Sequence, residues 1–394
     1  MTGLSAASPY SRTLEDLVAE ARRVAQEVVR PRAANGHEAA TWPEAEMRAL
    51  QESGLMALQV PLELGGHGLG MEALVAISQE LARENPSLGL CYAMHCVGTA
   101  CIAAKATAAQ KERYLVPVSE GRHITTLALS EPGTGSHFWI PESRLNRDGE
   151  GYRLHGTKSF VTNGGRADSY VMSTVAPGEA SVADPGSFTM AVVDAGSDGL
   201  DWGPEWHGFG MRSNSSRTAE LHGVPIEDVQ ILGAAGDELW YMFEVIVPYF
   251  LMAMAGTYLG IAVEAVELAR TTLEERRHSH TGELLASHPT LGAELGTLWT
   301  ELEKTRALVH EAARAGDRQE ESALPAILAS KLAAAEAAVE LSNRGMTLGG
   351  GRAYAENSKA ARLLRDARAG HVMSPTTHIL RTWVGRALMG QPLL

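Results

Sequence analysis

The run Leu127-Ala128-Leu129-Ser130-Glu131-Pro132-Gly133-Thr134-Gly135-Ser136 combines two glycines, a proline and small hydroxyl residues. That composition suits a turn whose backbone N–H groups approach a polar ligand closely. Downstream, Thr157-Lys158-Ser159-Phe160-Val161-Thr162-Asn163-Gly164-Gly165 places an aromatic beside a threonine on a β-like stretch, then stops it with Asn-Gly-Gly. An aromatic face with a neighbouring hydroxyl suits a flat, hydrogen-bonding cofactor ring. Either run alone reads as an ordinary loop of a β domain. Together, in this order, they point to a flavin site.

The elements that must position these runs change in texture along the chain. Leu14, Leu17, Ala21 and Val24 recur at helical steps; Pro31 and Pro43 punctuate, and Gly54 ends a short helix. The connector Val60–Gly70 is glycine-rich, but its glycines do not fit GxGxxG and no strand precedes them, so a dinucleotide fold is not supported. Met71 to Ala82 and Ser87 to Ala104 read as apolar helices. From about residue 122, short runs such as Ile124–Leu127, Tyr152–Leu154, Tyr170–Met172 and Thr189–Val193 alternate with Asp-Gly, Gly-Gly and Pro turns. From Asp237 helical spacing returns, through Ala265-Leu268-Thr272 and Leu328-Leu332-Ala335-Val339. The expected class is α+β, mostly α, with an N-terminal helical domain (1–121), a middle β-barrel (122–234) and a C-terminal helical bundle (235–394).

Composition excludes several classes. The 394 residues carry a formal net charge of -13 and no basic tract to neutralise phosphates, which argues against nucleic acid. Met1–Ser5 lacks the basic-then-apolar pattern of a signal peptide. Cys91, Cys96 and Cys101 cannot share one helical face and form no CxxC pair; they read as buried thiols in a reducing cytoplasm rather than metal ligands beside His95. No metal is expected. Val245 to Val263 runs without a charge, long enough for a membrane span. Its acidic flanks and its Pro248, Gly256 and Gly260 favour a helix buried among other helices.

This order of elements and four motifs resemble the acyl-CoA dehydrogenase family over essentially the whole chain. Ser130–Ser136 resembles its (S/T)EPGAGS loop, and Gly156–Gly165 with Ala167-Asp168 its GTK-x-W-I-T-N-G-x-x-AD strand. Gly208–Ser213 matches G-x-R-(S/T), and Arg365–Arg368 matches RDA(R/K). The resemblance implies a C-terminal four-helix bundle, with FAD bound between barrel and bundle. It implies a homo-oligomer, dimer or tetramer, in which a neighbouring subunit touches the adenine end. By position, Leu127, Leu129, Ser130, Gly135 and Ser136 would contact the flavin and the start of the acyl-carrier arm. Phe160 and Thr162 would stack beside and hydrogen-bond the ring. Gly350, Gly351, Thr376 and His378 would face the pyrophosphate and adenosine parts. The partners implied are an acyl thioester, carried by CoA or an acyl carrier protein, and an electron-transfer flavoprotein.

The chain also departs from the family. The reaction needs a base for the proton α to the thioester carbonyl, and a positioned carboxylate supplies it. Counting from Arg365-Asp366-Ala367 puts Ser374 at the glutamate position, followed by Pro375 in place of glycine. The alternative base position falls on Phe250, and its usual charged flanks on Pro248 and Leu251. Ser374 keeps the backbone N–H that would polarise the carbonyl. At the far end, R-x-x-F-G becomes His278–Gly282 with Arg277 one place off; Arg277, whose long side chain is permanently charged, His278 and Thr347 are still expected among the cofactor contacts. Two expected glutamines become Pro289 and Thr347. His137-Phe138-Trp139 replaces the aspartate and small residues after GS, either filling part of the carrier channel or packing a loop. The leading expectation is an FAD-dependent α,β-dehydrogenation with an unconventional base, for which Tyr249, His137 and ordered water are candidates. A flavin-dependent monooxygenase and a non-catalytic subunit of a mixed oligomer are the alternatives.

Overall fold

A computed structural model describes residues 12–34, 39–178, 188–234 and 237–393. Met1–Ser5 and Ala235, at the expected start of the third domain, lie outside them. Helix α1 (Leu14–Val24) starts at a capping box. The Thr13 hydroxyl accepts from the Asp16 N–H at 3.2 Å, and the Asp16 carboxylate accepts from the Thr13 N–H at 3.0 Å. It buries Leu17, Ala21 and Val24, the face its spacing predicts. Helix α2 (Glu44–Glu52) follows Pro43, and α3 (Met71–Glu84) and α4 (Pro86–Ala104) form the inner layer. Pro86 opens α4 where its missing N–H costs nothing, and the Asn85 side chain accepts from the Ser87 and Leu88 N–H groups. All three cysteines are buried and free on α4; burial pushes the Cys96 and Cys101 thiols up to about 12.

The middle unit is one eight-stranded sheet: β1 (Thr125–Ala128), β2 (Arg144–Asp148), β3 (Gly151–Val161), β4 (Ser169–Val175), β5 (Phe188–Asp194), β6 (Leu200–Glu205), β7 (Arg217–Ile226) and β8 (Ile231–Leu232). The spatial order is β6-β7-β3-β2-β4-β5-β8, with β1 parallel to β4. The expected barrel is therefore an open sheet. Its ends, β6 and the two-residue β8, do not pair with each other, so no closed ring of hydrogen bonds forms among the described residues.

Three long helices, α5 (Val247–Glu275), α6 (Pro289–Asp317) and α7 (Ala323–Ala353), make the third unit. After α8 (Lys359–Ala367) and the short α9 (Ala369–Val372), α10 (Thr377–Leu388) packs on α7 as the fourth member of the bundle. The chargeless stretch lies almost wholly in α5. Its glycines are notches: a Cβ at Gly256 would sit 2.7 Å from the Val75 carbonyl oxygen, and one at Gly260 2.5 Å from that of Gln79. Helices α3 and α5 thus cross in backbone contact. By length and composition two helical stretches, Pro86–Ala104 and Glu238–Glu275, could cross a membrane, yet 89% of the apolar window of each is buried inside the protein.

Polar ties hold the three units together. Fully buried His95 on α4 donates from Nε2 to the Met56 carbonyl at 2.8 Å and accepts at Nδ1 from the Thr125 N–H at 3.1 Å. One ring therefore fixes the start of β1. The Met211 N–H donates to Asp366 at 2.6 Å, joining the loop before β7 to the bundle. Lys359 pairs with Glu84 at 2.9 Å and Glu264 at 2.7 Å, linking the first unit to the third.

Candidate active site

A cavity of about 750 Å³ opens between the sheet and the bundle, within the size range of ligand pockets. Both opening sequence runs converge on it. Leu127, Leu129, Ser130, Gly135, Ser136, Phe160 and Thr162 all line it. The bundle contributes Phe250, Arg365, Arg368 and the turn Val372–Pro375.

The aromatic is aimed by a defect in the sheet. The β3–β7 register shifts between Lys158 and Val161, and Phe160 takes φ +54°, a rare conformation for a bulky residue. A bulge of this kind re-aims a side chain. Phe160 is consequently 61% exposed, and Trp206 meets it edge-on with ring centroids 5.2 Å apart. Met211 (φ +52°), Asn163 (φ +61°) and Ser215 (φ +49°) lie on the cavity or beside its lining. Four of the six non-glycine residues at positive φ among the described residues therefore gather here. Such strain concentrates at functional sites.

The Ser130–Ser136 loop rests on a buried ion pair. Lys158 and Glu131 side chains are 0% and 1% exposed, with Nζ 2.5 Å from Oε1. Lys158 also donates to the Ser173 carbonyl at 2.5 Å, and Glu131 accepts from the Ser143 N–H at 3.1 Å and the Ser143 hydroxyl at 2.6 Å. Burial pulls the Lys158 ammonium below its ordinary value, and Glu131 opposes the shift. Asn163 is equally structural. It accepts from the Trp42 indole N–H at 2.9 Å and donates to the Cys91 carbonyl at 3.0 Å.

Of the acidic residues, only Glu131 lines the cavity among the described residues, and Lys158 holds it. Ser374 lines the cavity from the opposite wall, and its hydroxyl donates to the Ser136 carbonyl at 3.3 Å. Among the described residues its N–H meets no hydrogen-bond acceptor. Neither side chain weighed as a substitute base reaches the lining. Tyr249 is pushed up to about 12, first by burial and then by Asp317, while exposed His137 stands edge-on to Trp139 at 5.2 Å. Of the aromatics that follow Ser136, Phe138 lines the cavity and Trp139 packs on Trp383 of α10 at 5.4 Å.

The remaining expected residues do not line this cavity. Arg277 turns back on its own hairpin, donating to the Gly282 carbonyl at 2.9 Å; His278 bonds His288 through their Nε2 atoms at 3.1 Å. Thr347, Gly350 and Gly351 lie at the end of α7, Thr376 caps α10 through the Ile379 N–H, and His378 is exposed in its first turn. Arg276, not Arg277, approaches Gly350, whose φ is +64°; its Nη1 would lie 3.3 Å from a Cβ there. Sequence reasoning also missed Trp206, Phe209, Arg365 and Arg368. Phe209, inside the Gly208-Phe209-Gly210 run, and Trp206, just ahead of it, were detectable as aromatics beside glycines.

A planar, largely apolar group fits this lining. Phe160, Trp206 and Phe209 expose 61%, 51% and 68% of their surfaces around one opening, an arrangement that leaves large aromatic faces for a ligand to cover.

Family models for the acyl-CoA dehydrogenase N-terminal, middle and C-terminal domains match residues 11–122, 126–224 and 250–389. A mitochondrial short-chain specific acyl-CoA dehydrogenase of Bos taurus is 29% identical over 369 residues, covering 93% of this chain and 88% of the relative. The probable acyl-CoA dehydrogenase fadE25 of Mycobacterium leprae is 26% identical, covering 95% of each chain. The structure of butyryl-CoA dehydrogenase from Megasphaera elsdenii superposes with a TM-score of 0.89 at 21% identity, covering 97% of this chain and all of the other.

Proposed function

The chain belongs to the acyl-CoA dehydrogenase family, a family of flavoenzymes, and from that premise we propose that it binds FAD and oxidises the Cα–Cβ bond of an acyl thioester. The observation that carries this reading is the aromatic-rimmed cavity between sheet and bundle on which both opening runs converge. In this reading Phe160 and Trp206 flank the flavin ring, and Leu129, Ser130 and Thr162 meet its polar edge. When bound, FAD supplies the acceptor for a hydride from the β carbon. Arg276, Gly350 and Gly351 act from a second copy of the chain, on the far half of the cofactor.

The chain's own contribution to the chemistry is electrostatic. The Ser374 N–H, which meets no acceptor among the described residues, would polarise a thioester carbonyl, acidify the α C–H and stabilise charge on the oxygen as the proton leaves. Among the described residues the only cavity carboxylate, Glu131, is held by Lys158 and is not free to receive that proton. The reading therefore favours substrates whose α C–H is acidified by a further group, with water as the proton acceptor. Mass spectrometry of thioesters incubated with the protein and an artificial electron acceptor tests it. A product two hydrogens lighter supports the reading; unchanged substrate across thioesters with acidified and with ordinary α C–H groups sinks it.

A missing carboxylate also suits oxygen chemistry on reduced flavin. Oxygen uptake that requires a flavin reductase and yields a hydroxylated product would favour that alternative. The intact Ser130–Ser136 loop speaks for the dehydrogenase.

A further inference from the structure

The turn that carries Ser374 hangs on one buried lysine. Lys331, on α7, is 0% exposed, and its Nζ donates to the carbonyl oxygens of Gly370 at 2.8 Å, Met373 at 3.0 Å and Pro375 at 2.9 Å. Those three carbonyls bracket Ser374. Among the described residues no carboxylate pairs with the ammonium. The backbone is pressed close around it: a Cβ at Gly370 would lie 2.8 Å from the Ala335 Cβ and 3.2 Å from the Tyr258 ring. The Tyr258 hydroxyl in turn reaches the Met373 sulfur at 3.7 Å.

We propose that Lys331 is a positioning residue whose charged form holds the Gly370–Pro375 turn, and with it Ser374, against the cavity. An ammonium has three N–H donors, one for each carbonyl; a neutral amine has two and turns a lone pair toward the third oxygen. Loss of the proton therefore breaks one of the three ties and loosens the turn. Burial supports titration in an accessible range, pushing the lysine down to about 7. The other ionisable groups around the turn are Tyr258 on α5, Asp366 and Arg368 ahead of it, His371 within it, Glu336 on α7 and Arg381 on α10. None of them hydrogen-bonds to Nζ. His371 is also displaced downward, first by burial and then by Arg368, and so needs its own control.

The significance of this clamp rests on the proposed function, but its test does not, because it reads backbone protection rather than flavin chemistry. Hydrogen exchange of the full-length protein is followed for the peptide spanning 369–376, where the Met373 N–H bonds to the Ala369 carbonyl at 2.8 Å. Rates are corrected for intrinsic pH dependence and compared on either side of pH 7. Protection in the wild type is expected to fall about 10- to 100-fold as pH rises, the range a hydrogen bond from a charged donor is worth. Lys331→Met should show the low protection at every pH, Lys331→Arg the high protection at every pH, and His371→Asn the wild-type response. A flat wild-type profile, or a response abolished by His371→Asn, overturns the proposal. If Lys331→Met does not fold, the wild-type, arginine and asparagine profiles still decide it.

Discussion

Replacing Lys158 with methionine removes the cation beneath the Ser130–Ser136 loop while leaving its volume largely filled. The Glu131 carboxylate keeps the Ser143 N–H and hydroxyl but loses its buried positive partner, 2.5 Å away. Both side chains are essentially inaccessible, so solvent cannot compensate. Removing one member of a buried pair costs about 3–5 kcal/mol, most of it the stranded charge. Lys158→Met should therefore lower the urea unfolding midpoint by the equivalent of about 3–5 kcal/mol at unchanged m. Glu131→Gln should cost less, because burial already eases deprotonation of the lysine it leaves behind. The double variant strands no charge and should recover part of the loss, giving a coupling of about 1–3 kcal/mol. Lys158→Met within about 1 kcal/mol of wild type, or strictly additive single changes, would refute the reasoning. The cycle also separates fold from site. Loosening Leu129–Glu131 should reduce flavin content even under conditions where the helical signal is intact.

Three further outcomes are expected. Phe160→Ala should weaken flavin retention about 3- to 10-fold by dialysis, the worth of one aromatic contact beyond its area, while leaving the unfolding midpoint nearly unchanged. Ser374→Glu returns a carboxylate to the cavity wall and should speed flavin reduction by thioester at least about 10²-fold, the low end of general-base catalysis, in stopped-flow absorbance. His95 is held neutral, its ring pushed by burial from 6.5 down to about 4, so the unfolded chain binds more protons between those values. Stability should thus be complete above pH 6.5 and fall by about 3 kcal/mol as pH drops to 4. His95→Gln should flatten that window in pH-dependent urea unfolding.

Much of the cavity lining was legible because its signals are local. Turn residues around Gly133 and Gly135, an aromatic beside Thr162 and the Asn-Gly-Gly stop each reflect backbone demands within a few residues. What escaped depends on pairing at long range. Lys158 was visible inside its run, but its partner Glu131 lies on another segment, and nothing local announces that they meet. Lys331 sits in an alanine-rich helix whose spacing says only that it is helical. The open edge of the sheet depends on β6 and β8 failing to meet, which strand patterning does not encode. Gly256 and Gly260 were read as breaks in an apolar helix; their use is as notches for α3, visible only once both helices are placed. At the far end, Arg277 lies in the hairpin formed with Leu284 and Arg276 beside Gly350, a placement set by pairing between segments rather than by local spacing.

The central claim is a flavin cradle that works on acyl thioesters without a carboxylate base. The most direct test is the visible absorption spectrum of the purified protein, recorded before and after anaerobic addition of thioesters with acidified and ordinary α C–H groups. The account predicts a yellow protein that an activated thioester bleaches and an ordinary one bleaches far more slowly. A colourless protein, or a yellow one that no thioester bleaches, would contradict it.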